Sequence, residues 1–277
     1  MLDRRQMLTG TATGVASLSL IGSVAAADVG DKVVDTNISL FLWPFRRLPL
    51  DQTSKLLATL NSLGVNEAWA GSFEALLHRD IGGVNERLAA ECGKVRQLRP
   101  VGAVNLTLPD WEEDLRRCHE DFKMHAIRVH PNYHGYALDD SRFDRLVKLS
   151  TERDLLVQLT ATMEDERTHH PLVHLPDVDL APLPAICERH PRAQIQVLNL
   201  RPRGATLKLL AKPPGIWFDT SRMEDTHGVQ RLLQHVPVER VRFGSHAPFL
   251  IPQAAMIRLH ESPLTKTQRL TILSGGR

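Results

Sequence analysis

What this chain lacks narrows its function more than what it has in excess. Its 34 Lys and Arg offset 32 Asp and Glu to a formal charge of +2, and only 5% of its 277 residues are aromatic. Nucleic-acid partners leave a clustered basic footprint, so none is expected. Cysteine is limited to Cys92, Cys118 and Cys187, far apart and without a C-x-x-C pair. An odd number cannot all pair internally and each falls in a helical segment, so buried structural thiols are expected rather than a thiolate metal centre. No G-x-G-x-x-G or G-x-x-x-x-G-K turn occurs, which removes the usual nucleotide cradle, and no G-x-S-x-G elbow supports a serine triad. After the N-terminal segment, nothing approaches the roughly 18 consecutive apolar residues of a membrane span. What remains is an ordinary globular balance, 42% hydrophobic and 24% charged, with enough chain to bury a large core.

The N-terminus reads as an export segment. Asp3-Arg4-Arg5-Gln6-Met7-Leu8 precedes a weakly apolar, Gly/Thr/Ser-containing stretch that ends in Ala25-Ala26-Ala27. Small residues at 25 and 27 fit peptidase cleavage after Ala27. The segment resembles a twin-arginine signal, with Met7 where such signals usually carry Phe. An uncleaved N-terminal anchor is the alternative. The expectation is a signal peptide over 1–27, engagement of the twin-arginine export machinery, a periplasmic destination, and a mature chain of 28–277 without a transmembrane domain.

In the mature chain, short β-branched runs alternate with longer helical stretches. Strands are expected at 33–38, 65–70, 101–104, 126–130, 155–159, 194–199, 216–219 and 241–244. Helices are expected at 51–63, 80–97, 109–120, 141–153, 178–189, 205–210 and 228–236, several bounded by Pro or Gly. Strands alternating with helices imply right-handed crossovers and a parallel sheet. Eight such units in a chain of this length point to a single α/β domain, a (β/α)8 TIM barrel.

A barrel of this kind carries its active site at the carboxyl ends of the strands, and side chains of one parity face its interior. On the first strand Asp35 and Asn37 share parity with Val33; on the fourth, Arg128 and His130 do; on the eighth, Arg242, Gly244 and His246 do. Gln158 and Thr160 belong to the fifth strand and Asn199 closes the sixth. A packed interior is expected to hold Val, Ile and Leu, so polar residues repeated at strand ends mark a site, although any one of them alone is as readily a satisfied core hydrogen bonder.

These segments resemble the amidohydrolase superfamily, in its amidohydrolase-related (type 2) branch of metal-dependent hydrolases. The matching features are Val33-Val34-Asp35-Thr36-Asn37, Ile127-Arg128-Val129-His130-Pro131-Asn132-Tyr133-His134-Gly135-Tyr136 and Arg242-Phe243-Gly244-Ser245-His246-Ala247-Pro248. The resemblance implies a (β/α)8 barrel whose relatives hydrolyse amides, esters or lactones, or decarboxylate, usually with one or two divalent metals. The usual ligands are substituted: Asp35-x-Asn37 stands for His-x-His, Gln158 or Thr160 for the fifth-strand His, Asn199 for the sixth-strand His, and His246 for the eighth-strand Asp.

Two site readings follow from that pattern. In one, Asp35, His130 and His246 hold a single divalent ion, with Asn37 or Asn199 assisting. In the other no metal is bound. His246 or Asp35 is then the general base on water, and Arg128, Arg46 or His130 stabilises negative charge, as in the metal-free lactonases of the superfamily. Catalytic candidates are thus Asp35, His130 and His246, and binding candidates Asn37, Arg46, Arg128, Gln158 and Asn199. The substrate is expected to be a small lactone, ester or amide. A catalytically silent barrel that binds a metabolite or protein partner is the alternative.

Three neighbouring stretches bear on the mouth of the barrel. Pro131 and Gly135 place His130-x-x-x-His134 on a loop. Glu164-Asp165-Glu166-Arg167, followed by His169, His170 and His174, lies after the fifth strand on the catalytic face, where it either supplies a general acid or base carboxylate or forms a solvated charge cluster at a loop tip. Trp43 and Phe45 either bind a ring-bearing substrate beside Arg46 and Arg47 or plug the mouth, with Arg46 paired structurally.

Overall fold

The computed structural model describes residues 32–173, 175–201, 204–224 and 227–276. The expected signal segment 1–27 and His174 lie outside the described residues. The strands run β1 (Val33–Leu40), β2 (Val65–Ser72), β3 (Leu98–Pro100), β4 (Gly102–Ala103), β5 (Ala126–Val129), β6 (Leu156–Thr160), β7 (Ile195–Leu198), β8 (Ile216–Asp219) and β9 (Val241–Arg242). β3 and β4 are one strand position interrupted at Val101, whose N–H donates to the Ala70 carbonyl at 2.8 Å. Nine segments therefore fill eight positions.

Every pairing is parallel, in the orders β1-β2-β3 and β4-β5-β6-β7-β8-β9. The ring closes between β1 and the chain after β9. The Thr36 N–H donates to the Phe243 carbonyl (2.9 Å), the His246 N–H to Asn37 (2.8 Å) and the Ser39 N–H to Ala247 (2.8 Å). These bonds make the fold the expected (β/α)8 barrel.

The helices between strands follow from burial and capping. Ser141–Glu152 buries Phe143, Leu146, Val147 and Ser150, the spacing of one helical face, and Asp140 caps it by accepting from the Arg142 N–H at 2.8 Å. Each large apolar side chain so buried contributes about 1.5–3 kcal/mol. Helices Pro252–Glu261 and Lys266–Leu273 were not anticipated; the second begins with a capping box of Thr265 and Gln268. The short segment Pro131–His134, expected as a loop, is a single helical turn stopped by Gly135 at φ 71°. Proline at its first position and glycine just past its end are the residues that start and stop a helix. All three cysteines are buried and free within helices, as expected.

The main core lies between the strands and the helices. Two smaller clusters close the barrel's ends. At the amino end Val34, Trp69, Val101, Ala126 and Leu156 pack together. Arg242 stacks there on the Trp217 ring (4.0 Å) and the Trp69 ring (5.3 Å). Arg242 shares parity with His246 but, four residues earlier in the chain, lies at the opposite end. At the carboxyl end Trp43, Leu48, Phe73, Leu76 and Met163 form the second cluster.

Candidate active site

Most of the barrel interior is filled by side chains that hydrogen-bond one another. A register irregularity in β1 between Asp35 and Ile38 breaks strict alternation and turns both Thr36 and Asn37 toward the other strands. Asn37 Nδ2 donates to Asn199 Oδ1 (2.8 Å) and Asp219 Oδ2 (2.7 Å). Asn199 Oδ1 also accepts from Ser221 Oγ, and Asn199 Nδ2 donates to the Thr162 carbonyl. A second chain runs from Arg128 Nε to Gln158 Oε1 (3.0 Å), from Gln158 Nε2 to Gln196 Oε1 (2.9 Å), and from Gln196 Nε2 to Thr36 Oγ1 (2.9 Å). Arg128 Nη1 donates to the Ile38 carbonyl and to Ser39 Oγ. Two glycines make room: a Cβ on Gly71 would meet Arg128 Nη1 at 2.6 Å, and one on Gly244 would meet Asp219 Oδ2 at 2.9 Å.

Asp35 acts apart from Asn37. Its Oδ1 accepts from the Asn37 and Ser245 N–H groups, so the carboxylate ties β1 to the chain after β9. Burial raises the pKa of Asp35 to about 6, against hydrogen bonds from Ser245 and Asn37 that lower it. Burial likewise raises Asp219 to about 6 and lowers Arg128 to about 10, which leaves the guanidinium protonated at neutral pH.

His130 and His246 stand on either side of an aromatic plug. Ring centroids link His130 to Tyr133 (6.5 Å), Tyr133 to Trp43 (6.2 Å), Trp43 to Phe249 (5.1 Å) and Phe249 to His246 (5.0 Å, stacked). Trp43 is only 2% exposed although it sits in a loop. Burial drives His130 well below its usual value and His246 to about 3, so both rings are neutral. His246 Nε2 lies 2.9 Å from the Met163 carbonyl and therefore carries the proton, leaving the lone pair on Nδ1. His246 and Asn199 both hold positive φ, 56° and 58°, a strained state for residues with a Cβ that recurs at functional sites.

The plug is latched by an ion pair. Arg46 Nη1 donates to Glu164 Oε2 at 2.8 Å, and the Arg46 guanidinium lies 5.0 Å over the Phe249 ring. Glu164, expected on a solvated loop, is buried and also accepts from Thr168 Oγ1. Arg47, by contrast, pairs with Asp51 at the surface. Of the two sequence readings of Trp43, Phe45 and Arg46, the plug with a structurally paired arginine matches this arrangement.

Under the plug, several buried polar atoms have no hydrogen-bond partner: Arg128 Nη2, His130 Nδ1, Thr160 Oγ1, Trp43 Nε1 and, in its seam, Asp35 Oδ2. Native interiors leave few such atoms, and a concentration of them marks a site. Beside the axis, an open cleft of about 570 Å³ passes Asn199, Thr162, Glu164 and Arg222 but not Asp35, Arg128, His130 or His246. Sequence reasoning missed Asp219, Gln196, Ser39 and Ser221; Asp219 closes the run Ile216-Trp217-Phe218-Asp219 as Asn199 closes its own strand, so the same argument would have reached it.

An amidohydrolase family model matches residues 45–271. The chain belongs to the amidohydrolase family. Among solved structures, 2,6-dihydroxybenzoate decarboxylase from Rhizobium is similar at 14% identity and a TM-score of 0.69, covering 89% of this chain and 97% of that one. 5-Carboxyvanillate decarboxylase from Sphingomonas paucimobilis is similar at 12% identity and a TM-score of 0.71, over 88% and 97%. The 5-carboxyvanillate decarboxylase from Novosphingobium aromaticivorans, complexed with manganese and 4-hydroxy-3-methoxy-5-nitrobenzoic acid, is similar at 12% identity and a TM-score of 0.69, over 89% and 95%. At these identities the likeness is one of fold. No curated protein matches significantly.

The donor set of this chain does not fit a metal of that kind. Among the described residues no group of three or more His, Cys, Asp or Glu is placed to hold an ion. Asn37, Gln158 and Asn199 offer amides already bonded to neighbours, and an amide oxygen is a weak zinc ligand. Asp35 is engaged in the β1 seam, and His130 and His246 flank the plug.

Proposed function

We propose that this amidohydrolase-family chain is a metal-independent hydrolase of a small lactone, ester or amide that carries a carboxylate. The observation that carries the reading is Arg128, a buried, protonated guanidinium whose Nη2 has no hydrogen-bond partner. A substrate carboxylate would supply that partner through a single contact at Nη2, because Nε and Nη1 are already bonded. The fold relatives whose names state a substrate act on dihydroxybenzoate and carboxyvanillate, both carboxylated rings. Trp43, Tyr133, Phe45 and Phe249 are suited to receive a ring once the cover lifts.

The chemistry follows from the histidines. Burial is the first cause of the low pKa of His246, so lifting the cover and admitting water restores its basicity toward the ordinary imidazole range. Nδ1 then takes a proton from water as the oxygen attacks the carbonyl carbon. The tetrahedral oxyanion forms near His130 and Arg128. Its collapse breaks the bond to the leaving oxygen or nitrogen, which receives the proton back from His246. Asp35 contributes by holding Ser245, and so the backbone of His246, in place.

A panel of carboxylated lactones, esters and amides tests this, read by product mass. On the substrate found, His246→Ala and Arg128→Met each lower turnover about 10²–10³-fold with folding intact. Unchanged turnover in both variants rejects the assignment. The self-paired amide network favours a second reading, a silent barrel that binds a metabolite; stabilising ligands with no product from any panel member would establish it. Export through the twin-arginine route is a further part of the proposal, supported by Arg4-Arg5 and Ala25-Ala26-Ala27. Retention of an Arg4→Lys/Arg5→Lys variant in the cytoplasm, with the parent chain in the periplasm, is the expected fractionation result.

A further inference from the structure

The open cleft beside the axis holds a second cation that the hydrolytic reading does not use. Arg222 follows β8, is 5% exposed, and lines both the 570 Å³ cleft and an adjoining hollow of about 410 Å³. Its Nε has no hydrogen-bond partner. That same Nε lies 3.4 Å from Glu224 Oε1, an ion pair with a carboxylate that Arg201 already holds at 2.7 Å. Arg201 is bound further by Asp165, which also pairs with Arg167. Glu224, Arg201, Asp165 and Arg167 are thus committed to one another, and the buried Arg222 guanidinium is left with donor capacity at a cavity wall.

The walls say what kind of group fits. Ala161, Leu180, Leu200 and Leu209 give the cleft an apolar lining, whereas Glu166, Asp177 and Asp179 leave exposed carboxylates at its rim. A rim of that sign opposes a doubly charged phosphate more than a singly charged carboxylate. We propose that this cleft is a binding site for the carboxylate of a small molecule with an apolar body, anchored by Arg222 and separate from Arg128, which does not line it. The site stands whether or not Arg128 and His246 hydrolyse anything.

Benzoate, its neutral isostere benzamide and inorganic phosphate are the probes, titrated calorimetrically into the full-length protein. The expected result is saturable benzoate binding at least tenfold tighter than that of benzamide or phosphate. Arg222→Met weakens it at least tenfold, and Arg128→Met leaves it in place. Intermolecular NOEs from the benzoate ring to the Leu180 and Leu200 methyls in the unmutated protein locate the ligand without relying on any variant. Benzoate that binds with equal affinity to the Arg222→Met protein overturns the proposal. So do NOEs confined to Trp43 and Phe249, or the absence of saturable binding at millimolar benzoate. None of these outcomes depends on turnover, so they leave the hydrolytic reading to its own test.

Discussion

Both ends of this barrel are closed by tryptophan, and they are closed in opposite ways. At the amino end the Trp69 Nε1 donates to Glu67, which is itself paired with Lys32, and the Arg242 guanidinium stacks on two indole rings. At the carboxyl end Trp43 packs edge-on against four rings, yet its own Nε1 has no hydrogen-bond partner, nor do the buried Arg128 Nη2, His130 Nδ1 and Thr160 Oγ1. The first closure gives its indole a carboxylate partner and covers its guanidinium with two aromatic faces. The second buries polar groups without satisfying them, which is unfavourable in a resting core and useful where a ligand will arrive. That difference separates a structural end from a functional one, consistent with the location of active sites in this fold.

The largest test of the contrast is truncation of each indole. Trp69→Ala should lower unfolding free energy by about 3–5 kcal/mol, the usual loss for a large aromatic in a packed site. Trp43→Ala should lose less, about 1–2 kcal/mol, because water entering the vacated space hydrates the unpartnered atoms. Urea unfolding of both variants measures this, and equal losses would remove the distinction.

A smaller effect is expected from the latch. Arg46→Ala leaves the buried Glu164 carboxylate with Thr168 alone and should destabilise by about 1–3 kcal/mol. Hydrogen exchange should quicken at residues 43–46 and 161–168 and stay unchanged at 67–69. Faster exchange at both ends would mean that the plug is not a local cover.

The smallest effect is in the pH dependence. His246 and His130 have folded pKa values below the ordinary 6.5, so their contribution is fully present above 6.5 and is lost as pH falls below it, for His246 toward about 3. Asp35 and Asp219, raised from 3.8 to about 6, act in the opposite sense; their contribution is present below 3.8 and lost as pH rises through 6. Acid should therefore loosen the carboxyl end first, with partial compensation from the carboxylates. Trp43 fluorescence in a Trp69→Phe/Trp111→Phe/Trp217→Phe background should change between pH 6.5 and 4, and His246→Gln should flatten that change.

The fold was legible because it is written in periodicity. All eight expected strands exist, the third interrupted only at Val101, and the β-branched runs and Pro or Gly stops that mark them are local features. The convergence of Asn37, Arg128, His130, Gln158, Asn199 and His246 was legible for the same reason, since parity and strand direction are also local. What could not be read is who bonds to whom. The irregularity in β1 sends Asp35 to Ser245 and Asn37 to Asp219, and no single-sequence pattern specifies a register shift. The pairing of Arg46 with Glu164, 118 positions apart, depends on two loops meeting over the mouth. Arg242 was misplaced because parity fixes the face of a side chain and not the end of the barrel, and four residues, about 13 Å of extended chain, separate it from His246.

The central claim is that the carboxyl end works through Arg128 and His246 without a metal. The most direct measurement is turnover of the identified carboxylated substrate by protein dialysed against a strong chelator, with and without added manganese. The account predicts equal rates in both, with the Arg128→Met variant slow in both. Activity that disappears on chelation and returns with manganese would contradict it.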